Sequence, residues 1–398
     1  MDIDLDPNTS LPTDFGRACL IGRAWVPGTP PGPSVVLFDG SEAIDITRSY
    51  ATTSLLLEAV HPAAAARAAK ARGTRLGSVA DILANSSADR HDPDKPRFMA
   101  PCDLQALKAC GVTFVSSLLE RVIEEKTKGE PGQAEQVRCT LIDAIGLDLS
   151  AVRPGSAEAA KVKDLLVQRG LWSPYLEVGI GPYAEVFTKS QPMAAVGTGA
   201  EVGLHPESTW NNPEPEIVLA VNSRGDTVGA SLGNDVNLRD FEGRSALLLG
   251  KAKDNNGSCA IGPFIRLFDD HFGIDDVRRA KLAMRIDGPE GFTLDGESSM
   301  AMISRDPEDL VAATIGKEHQ YPDGFMLFLG TMFAPTQDRH GPGQGVTHTV
   351  GDIVTVSTPT LGALVNRVER SDRIAPWTMG AGALMRSLAD RGLLASDA

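Results

Sequence analysis

The stretch from Trp210 to Asp240, WNNPEPEIVLAVNSRGDTVGASLGNDVNLRD, limits the fold more tightly than any other part of the chain. Glu214 and Glu216 are two residues apart and lead into Ile217-Val218-Leu219-Ala220-Val221, an apolar run of strand length. Side chains of a strand alternate between faces, so the two carboxylates share one. Pro213 and Pro215 donate no backbone hydrogen bond, which suits the start or the edge of a sheet. Arg224-Gly225-Asp226 is a turn signal, and residues 228–232 are predicted to return as the hairpin partner. Asp235 then falls at the end of the second strand, beside the glutamates. Three converging carboxylates repel one another unless a cation sits among them, and hard oxygen donors favour Mg2+, with Mn2+ or Ca2+ as alternatives. The plainer alternative is a solvated acidic face on an ordinary hairpin.

Composition agrees with a turn-rich, sheet-heavy chain: 40 glycines and 26 prolines among 398 residues, with only 5% aromatics. That length can bury a large core and is expected to divide into two or three domains. A formal net charge of −14 argues against nucleic acid or an anionic membrane as partner. It leaves room for an anionic small substrate, because a bound divalent metal inverts the local field. Cys19, Cys102, Cys110, Cys139 and Cys259 are scattered and lack C-x-x-C spacing, which fits reduced thiols rather than disulfides or a zinc site. The acidic N-terminus has no apolar segment of signal-peptide type, and no apolar run reaches membrane-spanning length. A soluble cytoplasmic protein is expected.

In chain order, residues 1–16 are predicted to form a loose polar arm. Short β-like runs (CLIGRAWV, SVVLF, AIDI) follow between Pro/Gly turns, and residues 55–72 are Ala-rich and helical in propensity. His61 is expected at the surface, and residues 87–97 as a polar linker. Leu118, Leu119, Val122 and Ile123 make a helical apolar stripe, with Glu120, Arg121, Glu124 and Glu125 on the other side. Residues 156–169 are predicted as a second amphipathic helix. From Tyr175 the pattern turns to strands again: LEVGIGP, AEVFTK, IVLAV, VGASLG, FMLFLG, IVTVS and ALVNRVER. The expected divisions are residues 1–100, a β-rich module with linker; 101–171, a helical connecting or lid region; and 172–398, the catalytic domain.

E-x-E followed about twenty residues on by Gly233-Asn234-Asp235 and Arg239-Asp240 resembles the metal-binding core of the fumarylacetoacetate hydrolase family. The segment GKAKDNNGSCAIGPF places Lys253 on that family's lysine. In FMLFLGTMFAPTQDRHGPGQGVTHTVGDIVTV, Thr331 falls on its Gly-Thr turn, where a threonine would bond the substrate carboxylate. His340 and His348 in the same loop are expected to be solvated. Upstream, GVTFVSSLLE is similar to the family's G-x-N-Y-x-x-H-x-x-E: Gly111, Phe114 and Glu120 match, but Ser117 replaces the histidine. That histidine works with the glutamate as a general-base pair in the carbon–carbon bond hydrolases, and a serine needs a base of its own. Ser117 and Glu120 also fit a helix capping box.

The resemblance implies an α+β, β-rich fold: a fumarylacetoacetate-hydrolase-like β-roll domain at the C-terminal side with a smaller N-terminal module. It is strongest, over residues 98–385, with members that dehydrate 2-keto-3-deoxy sugar acids. The implied reaction is a hydro-lyase step taking 2-keto-3-deoxy-D-xylonate to 2-oxoglutarate semialdehyde. Metal would be held by Glu214, Glu216 and Asp235. Lys253 and Glu120 would share the acid, base and enolate-stabilising roles, in either order. Ser117, Thr331 and Arg239 would contact substrate, Arg239 alternatively pairing with Asp240 or a metal-ligand carboxylate. A homodimer or homotetramer is implied. An acylpyruvate-type hydrolase and a non-catalytic, metal-dependent sugar-acid binding protein are the competing readings.

Overall fold

The structure, a computed structural model, describes residues 2–394 apart from 129, 131–133, 135, 138–151, 171, 332, 334–336 and 342–344. Cys139 and part of the expected connecting region thus lie outside the described residues. Cys19, Cys102, Cys110 and Cys259 are buried free thiols, and burial pushes the Cys19 and Cys102 thiols up to about 11 and about 12.

An eleven-stranded sheet forms the body. In spatial order its strands are Thr74–Ser78, Glu42–Asp45, Gly32–Asp39, Leu20–Val26, Cys259–Leu267, Thr227–Asp235, Pro215–Val221, Phe325–Phe328, Ala106–Gly111 and Glu185–Ser190. Arg97–Met99 pairs alongside Leu20–Val26. A second sheet of five strands runs Thr293–Ser299, Lys281–Asp287, Ile353–Thr358, Gly362–Arg370, Glu201–Leu204. Both sheets are mixed: Phe325–Phe328 runs parallel to Ala106–Gly111, and Gly362–Arg370 parallel to Glu201–Leu204. This is the β-rich α+β architecture expected. The N-terminal strands are continuous with the large sheet, since Ile21 pairs with Ile265 across antiparallel strands.

The Pro215–Val221 strand has no solvent face. Ile217, Leu219 and Val221 pack into one core cluster with Val354, Val356 and Leu364 of the second sheet. Val218 and Ala220 pack into another with Ile261, Met326 and Phe328. Burial on both sides explains the unbroken apolar run, since an amphipathic strand would alternate. Each such aliphatic side chain contributes roughly 1.5–3 kcal/mol on burial. Pro215 opens the strand, where its missing N–H costs no ladder bond. The turn that follows is held by the Asn222 side chain, which accepts from the amides of Arg224 and Asp226, with Gly225 at φ +86°.

Four local expectations are corrected. Residues 2–16 are not a loose arm: Ile3 and Leu5 are buried in one cluster with Phe38 of the Gly32–Asp39 strand and Phe264 of the Cys259–Leu267 strand. LEVGIGP is helical: Pro174–Ile180 begins with Pro174 in its first turn and the Ser173 hydroxyl accepting from Leu176 N. Residues 55–72 split into the helices Thr53–Leu57 and Pro62–Ala69, with residues 58–61 between them. His348 is buried, its Nδ1 2.9 Å from Asp352 Oδ2, which also accepts from Arg339 at 2.7 Å. Burial alone would raise the Asp352 carboxyl, but Arg339 and His348 outweigh it and hold it below the ordinary value.

Candidate metal centre and active site

The hairpin brings the acids together as its spacing predicted. Pro215 pairs with Asn234 and Glu216 with Gly233, and Asp235 N donates to the Glu214 carbonyl at 3.0 Å. Gly233 has a steric reason: a Cβ there would lie 2.4 Å from the Phe328 ring and 2.5 Å from Val218. Glu214, Glu216 and Asp235 are all buried, and one carboxylate oxygen from each lies within 4.8 Å of the others. They floor a cleft whose walls include Ser117, Arg121, Tyr175, Glu185, Phe187, Glu242, Lys253 and Thr331.

Cations answer the acids only in part. Lys253, at the end of the short helix Leu249–Lys253, donates at 2.9 Å to both Glu214 Oε2 and Asp235 Oδ2 and lies 3.2 Å from Glu242 Oε1. Lys189 is fully buried, 2.9 Å from Asp235 Oδ1, and donates to the Lys253 carbonyl at 2.6 Å. Arg121 reaches Glu214 Oε1 at 2.7 Å and also pairs with Glu242 and Glu124. Among the described residues Glu216 accepts one hydrogen bond, from the Gly330 amide at 2.6 Å. Among the described residues, five carboxylates (Glu185, Glu214, Glu216, Asp235, Glu242) therefore face three cations (Arg121, Lys189, Lys253).

The electrostatics follow from that count. Burial, then repulsion from Asp235 and Glu214, raises Glu216 well above the ordinary carboxyl value. Burial would raise Asp235 too, but Lys189 and Lys253 outweigh it and lower it. Burial opposes the charge on Lys253, yet Asp235, Glu214 and Glu242 hold its ammonium far above the ordinary lysine value. The residues fit a hard divalent cation: the donors are all oxygen and, among the described residues, the carboxylates outnumber the cations.

The other expected site residues divide. Thr331 lines the cleft, with its hydroxyl accepting from Phe333 N at 3.0 Å. It follows Gly330 at φ +90°, where a Cβ would meet the Thr113 hydroxyl at 2.1 Å. Ser117 lines the cleft, but it is not a capping box: the helix Val115–Thr127 is capped by Phe114, and the Ser117 hydroxyl donates back to the Phe114 carbonyl at 2.9 Å. Glu120 faces an adjoining cleft shared with Ser117, Glu124 and Arg239. There Arg239 Nη2 donates to Glu120 at 2.8 Å and Nε to Glu124 at 2.6 Å, with the guanidinium 4.2 Å over the Trp210 ring. Arg239 thus pairs with the helix, not with Asp240, which instead accepts from Ser208 and Thr209. Glu124 on the same helix is buried in these ion pairs.

Sequence reasoning passed over Glu185, Lys189, Arg121, Glu242 and Tyr175. A period-two signal was present for two of them: Glu185, Phe187 and Lys189 alternate along the Glu185–Ser190 strand, and all three turn towards the acids.

At the end of the central hairpin the fold sets an oxygen-lined cleft whose acidic donors could hold a divalent cation. Residues 178–369 match the model of the family described as Fumarylacetoacetate (FAA) hydrolase C-terminal. It is 27% identical over 190 residues to "2-dehydro-3-deoxy-D-arabinonate dehydratase" of Saccharolobus solfataricus, covering 48% of this chain and 60% of that protein. It is 25% identical over 266 residues to "Probable 2-keto-3-deoxyxylonate dehydratase" of Haloferax volcanii, covering 67% of this chain and 86% of that one. Among solved structures, 2-keto-3-deoxy-D-arabinonate dehydratase in its apo form superposes with TM-score 0.59 at 20% identity over 88% of this chain and 99% of that one. The same enzyme complexed with magnesium and 2,5-dioxopentanoate superposes with TM-score 0.58, also at 20% identity, over 88% and 99%. These superpositions speak to the fold.

Proposed function

We propose that the chain is a metal-dependent hydro-lyase converting 2-keto-3-deoxy-D-xylonate to 2-oxoglutarate semialdehyde and water. The observation that carries this reading is the buried Glu214–Glu216–Asp235 cluster flooring a cleft beside Lys253. The names of the two curated relatives support the substrate class.

A divalent ion such as Mg2+ on Glu214, Glu216 and Asp235 would take the carboxylate and keto oxygen of a 2-keto acid as ligands and polarise the keto group as a Lewis acid. Lys253 serves as a fixed positive charge beside those ligands, because three carboxylates hold it as ammonium. That favours a stabilising role over proton abstraction. Thr331, on the Gly330 turn, orients the substrate carboxylate, and Tyr175 offers a hydroxyl from the cleft wall. Glu120 and Arg239 brace the helical wall from the neighbouring cleft. An acylpyruvate hydrolase is less well served: at Ser117, the position where it needs a histidine, the hydroxyl is turned to the Phe114 carbonyl.

The test is an assay of EDTA-stripped protein with 2-keto-3-deoxy-D-xylonate, with and without Mg2+. Semialdehyde only on restoring metal is the expected result. Pyruvate released from an acylpyruvate, with no semialdehyde, would replace this reading with the hydrolase.

A further inference from the structure

The smaller cleft that adjoins the main one meets it at Ser117, Arg121 and Glu214, which line both. Among its other lining residues are Asn212 and Asn237, set opposite each other where Asn211–Asn212 pairs with Asn237–Leu238. The Asn212 side-chain amide donates to the Pro213 carbonyl at 2.9 Å. Its Oδ1 is thereby left facing Asn237, whose Nδ2 donates to it at 3.4 Å. An acceptor must meet a donor, so this contact fixes which way the Asn237 amide points. The Asn237 carbonyl oxygen is then turned from Asn212. Among the described residues it accepts no hydrogen bond, although Asn237 is only 1% exposed. A buried carbonyl without a donor is costly, so the site calls for one. Arg239 is committed to Glu120 and Glu124, and Arg121 to Glu124, Glu214 and Glu242. Three carboxylates and two guanidiniums line this cleft among the described residues, which disfavours an anion there. What it suits is a neutral hydroxyl.

We propose that the adjoining cleft is the subsite for the hydroxylated tail of the sugar acid, with Asn237 Oδ1 accepting from the C5 hydroxyl, an inference that rests on the reading given under Proposed function. A 2-keto acid held at the Glu214–Glu216–Asp235 floor by its carboxylate and keto oxygen still has C3, C4 and C5 to place. Glu214 belongs to both clefts, so a chain that runs past it from the floor enters the adjoining one. Phe333 offers that chain an apolar wall. The charge balance sets the direction of binding: the anionic end goes to the metal and the neutral end to Asn237. The semialdehyde product carries a carbonyl at C5 in place of the hydroxyl. Its oxygen has no proton to donate to Asn237, so the tail loses this bond once the product forms, which favours release.

Asn237→Leu removes the acceptor while nearly keeping the volume. The readout is kcat/KM, with Mg2+, for two compounds of like configuration at C4. One is 2-keto-3-deoxy-D-xylonate; the other is 4-hydroxy-2-oxopentanoate, whose C5 is a methyl group. Comparing variant with wild type for each compound cancels any difference in their own reactivity. The expected result is a fall of about 30-fold for the hydroxylated compound and of less than about threefold for the other. Equal falls for both would give Asn237 a structural role only, and no fall for either would put the tail elsewhere; each overturns the proposal. If wild type dehydrates neither compound, the dehydratase reading falls, and Kd values from calorimetry on the Mg2+-loaded protein make the same comparison. A preference for the C5 hydroxyl that Asn237→Leu abolishes then upholds the subsite, and no preference, or no binding, overturns it. Should Asn237→Leu fail to fold, Asn237→Ala deletes the same oxygen with less demand on packing and is read in the same way.

Discussion

The carboxylate floor of the cleft and the helical wall above it are built differently. The floor stands on two strands in the middle of the eleven-stranded sheet, apolar on both faces and buried throughout. The wall is the helix Val115–Thr127, whose Leu118, Val122 and Ile123 pack into a small cluster with Leu166, Ile180 and Trp210. Ion pairs tie it to the floor: Arg121 reaches Glu214 and Glu242, and Arg239 reaches Glu120 and Glu124. Sheet packing thus sets the positions of the carboxylate oxygens proposed to hold the metal, whereas charge sets the position of the wall. The first should tolerate loss of a carboxylate; the second should not tolerate loss of an arginine.

The largest effect tests the floor. Glu216→Gln removes an acid that neutralises no cation, so the fold should persist while Mg2+-dependent turnover falls by about 10^4-fold. Steady-state kinetics with a Mg2+ titration measure this. The same substitution has a pH signature. Glu216 is raised in the folded protein, so ionising it costs stability as pH rises from about 4.5 towards its folded value, and that cost is absent below. Metal-free wild type should therefore lose Tm relative to Glu216→Gln over that rise, and saturating Mg2+ should shrink the gap.

Next comes Lys253→Met, which removes the fixed charge beside the floor. Turnover should drop by about 10^3-fold, with KM for substrate changing less than kcat. Arg121→Met strikes the wall: three carboxylates lose a shared cation, at a cost of about 3 kcal/mol. Hydrogen exchange should show residues 115–127 opening more readily while the Pro215–Val221 strand keeps its protection. Equal loss in both would mean that floor and wall form one cooperative unit. The smallest effect belongs to Glu120→Gln, with about a tenfold fall in kcat, as expected of a group acting through Arg239.

Legibility in the sequence follows the same division. Glu214, Glu216 and Asp235 were readable because period-two alternation and one hairpin turn fix their proximity within some twenty residues. Lys253 and Thr331 were found by resemblance, and both line the cleft. Arg239 was misjudged because its partners, Glu120 and Glu124, are more than a hundred residues upstream, on a helix whose docking only packing decides. Arg121 and Glu124 pass for a solvated face because periodicity shows which residues share a side of a helix, not what that side meets. Pro174–Ile180 deceived because a β-branched, Gly-containing run outweighed its Ser-Pro start signal.

The most direct test is a crystal soaked in Mn2+ and measured for anomalous scattering. The account predicts one strong peak about 2.1–2.2 Å from an oxygen of each of Glu214, Glu216 and Asp235, with Lys253 beside them. Absence of a peak there, with Lys253 still bridging Glu214 and Asp235, would contradict it: the acids would then be neutralised by lysine, and the floor would be structural.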